Sequence, residues 1–158
     1  MVALPVLTVP TVTLKESSRK PDKPWYWEGN VQSAVVRFLV SNGFMIRRVA
    51  DTLSREQGKD VVAVSSLGLE LWVSIKGRPA GTPRTSPHLM ARHYFADALH
   101  DILCWREEDE SVALALALPD FVTYRNRADK LARRFIELKA SILWVFENGK
   151  VEASPNFL

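Results

Sequence analysis

Apolar positions along this chain recur with two periods, and the changes between them mark out its elements. In "WEGNVQSAVVRFLVSNG" Val31, Val35, Phe38 and Leu39 fall on one helical stripe with Ala34 beside them, and Asn42-Gly43 supplies a stop, so the pattern predicts a helix. "FMIRRVAD" reads as a strand. "KDVVAVSS" and "LELWVSIKG" read as two more, joined as a hairpin by a short turn around Gly68. "GRPAGTPRTSPH" is a loop. Leu89, Phe95, Ala98, Leu99 and Ile102 share one face of a second helix, "LMARHYFADALHDILCW". "VALALALP" is too apolar to alternate with polar positions, which predicts a central strand covered on both faces. "RNRADKLARRFIELKA" reads as a third helix, and "SILWVFENGKVEA" as a closing strand with a turn at Asn148-Gly149. The order is helix, three strands, helix, strand, helix, strand. It predicts an α/β protein with a mixed central sheet and helices on both faces.

Length and composition narrow the class. A chain of 158 residues suits one domain with a real core. Residues 1–24, rich in proline, threonine and valine, read as an arm and linker ahead of a domain at 25–158. The apolar residues of the arm suggest packing on a second subunit, and so a homodimer that exchanges it. No apolar run approaches the ~20 residues of a membrane span. The start lacks the basic n-region of a signal peptide, so a soluble cytoplasmic protein with no membrane partner is expected. With one cysteine, Cys104, an intramolecular disulfide is excluded, and His88, His93 and His100 lack zinc-ligand spacing. The net charge of +3 permits a polyanionic partner without requiring one.

The candidate chemistry lies in "QGKDVVAVSSLGLELWVSIKG". Asp60 stands at the mouth of one strand and Lys76 at the end of the next. Alternation puts Glu70, Trp72, Ser74 and Lys76 on one face, with Leu71, Val73 and Ile75 on the other. A carboxylate that holds Mg²⁺ (or Mn²⁺), beside a lysine that orients water or stabilises phosphoryl charge, can build a phosphodiesterase site. One carboxylate rarely suffices, so a second acid is needed. Glu70 shares the face, but at ~3.3 Å per residue it lies about 13 Å from Ser74 along the strand, too far for the same ion.

With "WEGNVQ", "GKDVV" and "WVSIKG" in this order, residues 25 to 147 resemble the restriction-endonuclease-like PD-(D/E)xK superfamily, and in particular its small stand-alone bacterial members, which also carry "ARH-x-F" segments. The resemblance implies a three-layer α/β/α fold and a metal-dependent DNA endonuclease. By position it makes Glu28 the acid of the first helix, Asp60 the metal-holding aspartate and Lys76 the lysine. The second acid of the motif falls on Ser74, a weaker, neutral ligand.

Two outcomes follow. In one, Glu28 and Asp60 hold Mg²⁺ with Ser74 as an auxiliary ligand. In the other, the fold persists as a catalytically inactive domain that binds nucleic acid or a protein partner. Arg78 and Arg84 on the loop, with Arg92 and His93 on the second helix, are the expected contacts to a nucleic-acid backbone, DNA first. Trp72 is expected to line the cleft or to pack beneath the first helix. The cations between Arg125 and Arg134 read as a solvated helical face able to extend a phosphate track.

Overall fold

The computed structural model describes residues 23–54 and 57–158. The arm expected at 1–24 lies outside the described residues as far as residue 22, and the subunit exchange read there goes with it. The described elements are α1 (Glu28–Ser41), β1 (Met45–Val49), β2 (Val61–Val64), β3 (Glu70–Ile75), α2 (Pro87–Glu108), β4 (Ala113–Pro119), α3 (Val122–Asp129), α4 (Ala132–Glu137), β5 (Ala140–Val145) and β6 (Val151–Ala153).

The strands form one six-stranded sheet in the order β1-β2-β3-β4-β5-β6. β1, β2 and β3 pair antiparallel, β3–β4 and β4–β5 are parallel, and β5–β6 is antiparallel. The sheet is therefore mixed, as its pattern predicts. Gly68, at φ +82°, turns the β2–β3 hairpin in a conformation that an L side chain resists.

The all-apolar β4 shows how the layers are set. All seven of its residues are buried. Ala113, Ala115 and Ala117 face the α1 side, where Val31, Val35 and Leu39 pack. Leu114, Leu116 and Leu118 face the other side, with Phe95, Ile102, Tyr124 and Phe135 of α2, α3 and α4. Alternation survives here as size rather than polarity: small side chains admit α1 close to the strand, and large ones fill the space under three helices.

Two expectations change. The third helix is two helices, because Leu131 leaves helical geometry at φ −115°, ψ 8°. The physical reason is that α3 packs on α2 while α4 packs on β5, so one straight axis would not serve both surfaces. The closing strand is a hairpin, with β6 returning along β5 after a turn at Gly149. No helix among the described residues is long and apolar enough to cross a membrane.

Candidate active site

Three elements meet where the β3 strand ends. The first is the start of α1. Gly77 follows Lys76 and passes so close to this helix that a Cβ there would sit 2.6 Å from the Glu28 nitrogen and 2.7 Å from the Tyr26 carbonyl oxygen. The Arg78 amide donates to Tyr26 O at 2.9 Å, which holds the start of α1 against the end of β3. The glycine in "IKG" is thus required by close approach, and it delivers Glu28 to the end of β3.

The second is the entry to β2. The Asp60 amide donates to Val73 O, and its carbonyl accepts from Ala50 N at 2.8 Å. The buried Gln32 of α1 donates to Ala50 O at 3.0 Å and to Asp60 O, tying helix to strands. These contacts turn the carboxylate toward β3, where Oδ2 accepts from Ile75 N at 2.6 Å.

The third is α2, which supplies a residue the sequence did not single out. Ser74 is fully buried, and its hydroxyl donates to Asp101 Oδ2 at 3.1 Å. Lys76 Nζ lies 3.8 Å from the same oxygen. Ser74 faces Asp101 and does not line the open recess. The available signal was positional: Asp101 stands three residues after the buried Ala98 and directly before the buried Ile102, at the border of the apolar stripe.

Glu28, Asp60, Lys76 and Asp101, with Thr52 and Gln57, line an open polar recess of about 300 Å³. Burial pushes the Asp60 carboxyl up to about 6; the negative charges of Glu28 and Asp101 add to this, while the Ile75 amide and Lys76 oppose it. Burial also raises Glu28, against the pull of Lys76 and the Gly77 amide. Among the described residues no three or more His, Cys, Asp or Glu side chains form a group set to hold a metal ion.

The expected nucleic-acid contacts separate. Arg78 lies over the Phe121 ring at 4.2 Å and lines a neighbouring cavity that shares Glu28 and Thr52 with the recess. Arg92 lines a different groove, between α2 and α3. Arg84 and His93 are exposed and line neither the recess nor these two cavities. Trp72 packs beneath α2 rather than α1, edge-on to Trp105, with Lys59 Nζ 3.7 Å from its ring. The strand alternation placed Trp72 with Ser74, but only the pairing of layers decided which helix covers that face.

No family model matches the chain, and no curated protein or solved structure matches it.

Proposed function

We propose that the chain is a divalent-metal-dependent nuclease of the restriction-endonuclease-like kind, hydrolysing phosphodiester bonds in DNA. The observation that carries this reading is the convergence of Glu28, Asp60 and Lys76, from three separate elements, on one recess. Its charge supports the same reading. Among the described residues lining it, three carboxylates face one ammonium, so the recess is net negative once Asp60 and Glu28 have ionised. A bare recess of that charge repels a phosphodiester; a divalent cation reconciles the two.

The donor set fits Mg²⁺ or Mn²⁺. Mg²⁺ is commonly held by one or two carboxylates, with water and phosphate oxygens completing its shell. Glu28 and Asp60 are such a pair, and Asp60 keeps Oδ1 free of the Ile75 contact. When bound, the cation neutralises phosphate charge and lowers the pKa of a coordinated water. Lys76 presents its ammonium to the attacking water or to a non-bridging phosphate oxygen. Asp101 is a positioning residue: it faces Lys76, and the Ser74 hydroxyl fixes it in turn. Ser74 then serves the site indirectly, by orienting an acid on another element.

The test is cleavage of supercoiled plasmid and of labelled single-stranded DNA, with Mg²⁺ and then Mn²⁺, by wild type and Lys76→Ala. Cutting is expected to fall on the order of 10²–10⁴-fold in the variant. Equal cutting by both proteins refutes the assignment of Lys76. A second reading, a non-catalytic domain that binds nucleic acid or a protein partner, is favoured by the neutral Ser74 and by the lack of a three-ligand group among the described residues. Absence of cutting by wild type with either metal, at high protein concentration, selects it.

A further inference from the structure

We propose that the groove between α2 and α3 is a second binding site, which takes the phosphate backbone of a nucleic-acid strand. The proposal rests on the nuclease reading and names a second place where its substrate is held. The groove has a volume of about 470 Å³. Arg92, Arg127 and Lys130 line it beside His88, over an apolar floor that includes Phe95 and Leu99. Among the described residues no aspartate or glutamate lines it.

Some surface cations of this molecule have carboxylate partners. Lys59 pairs with Glu108, Lys150 with Glu152, and Arg125 with Asp120. Arg127 is two residues from Arg125 on the same helix, yet among the described residues neither it, Arg92 nor Lys130 has an ion pair. The Nε of Arg127 is buried and has no acceptor among the described residues. A buried donor without a partner is costly. A phosphate in the groove supplies the counter-charge that these cations lack, in the planar geometry that guanidinium favours.

The floor decides between kinds of phosphate. A free anion is compact and strongly hydrated, and gains nothing from Phe95 and Leu99. A strand presents sugar and base faces to an apolar surface while its phosphates meet the cations. The groove shares no lining residue with the recess, and α2 separates Arg92 and Leu99 on one flank from Asp101 on the other. Tyr124 of α3 donates its hydroxyl to Gly77 O at 2.7 Å, which ties α3 to the end of β3.

The experiment is fluorescence polarisation of a labelled single-stranded DNA in metal-free buffer across a salt series. It compares wild type, the exposed pair Arg92→Gln/Lys130→Gln, and Arg127→Gln, with a thermal melt as the folding control. The exposed pair is expected to bind at least ~10-fold more weakly at low salt. The slope of log affinity against log salt is expected to fall by about 0.7 for each phosphate contact removed. Affinity and slope equal to wild type in the double variant overturn the proposal, as does displacement of the strand by inorganic phosphate at equal phosphate concentration. If wild type fails to cut DNA but the groove variants lose binding, the nuclease reading falls and the groove stands. If wild type cuts and the groove variants bind unchanged, the groove falls alone.

Discussion

Replacing Asp60 by asparagine should make the protein more stable at neutral pH while destroying its proposed activity. The asparagine side chain keeps an oxygen for the Ile75 amide and removes a charge that burial disfavours. The sign follows from linkage. Below the ordinary aspartate value of 3.8 the carboxyl is protonated in both folded and unfolded chains and contributes no difference. Between 3.8 and about 6 only the unfolded chain releases its proton, so wild-type stability falls as pH rises. Above about 6 the folded chain carries the whole penalty. The interval from 3.8 to about 6 corresponds to about 3 kcal/mol, at ~1.4 kcal/mol per pH unit. Partial solvent access to the open recess reduces that to about 1–3 kcal/mol. For a chain of this size the gain in Tm at pH 8 is about 2–4 °C per kcal/mol, shrinking toward zero near pH 4. Thermal melts of both proteins across that range measure it, with Mg²⁺ as a second variable. The cation should raise the Tm of wild type and leave Asp60→Asn nearly unmoved. A gain that does not vary with pH, or a loss at pH 8, refutes the reasoning.

Two further predictions follow from the same contacts. Asp101→Asn should lower the cleavage rate by about 10–100-fold, in line with loss of one partner from a positioned acid–base group, while Mn²⁺ affinity by calorimetry stays within about twofold. Partial rescue by Asp101→Glu is expected, and a collapse of Mn²⁺ affinity would instead make Asp101 a metal ligand. Gly77→Ala should cost about 1–3 kcal/mol in urea unfolding, because its methyl meets the backbone of α1, and should also lower activity by displacing Glu28; unchanged stability would mean that the α1 start is not seated on Gly77.

Much of the fold was legible because burial leaves a local trace. The stripe Val31, Val35, Leu39 announces α1, the Gly68 turn announces the β2–β3 hairpin, and unbroken "VALALAL" announces a strand buried on both faces. The Asp60 and Lys76 candidates were legible for a related reason: each stands at the end of an apolar strand, and strand ends gather at one edge of an α/β sheet. Glu28 was named only through the family resemblance. The break at Leu131 was not legible, because no glycine or proline marks it and its cause is two different packing surfaces. Arg92 and His93 are neighbours in sequence, but one lines the α2–α3 groove and the other does not.

The amino-acid sequence by itself determined most of the strands and helices, which face of each is apolar, and that an acid and a lysine stand at adjoining strand ends. Those are properties of spacing, and spacing is local. Only the tertiary structure decided that α2, rather than α1, covers the Trp72–Ser74 face, and that Asp101 therefore meets Ser74 and Lys76. It alone decided that the carboxyl of Asp60 is buried enough to titrate near 6. The reason is that desolvation and pairing depend on which surfaces meet in space, and no periodicity along one element records what another element brings to it.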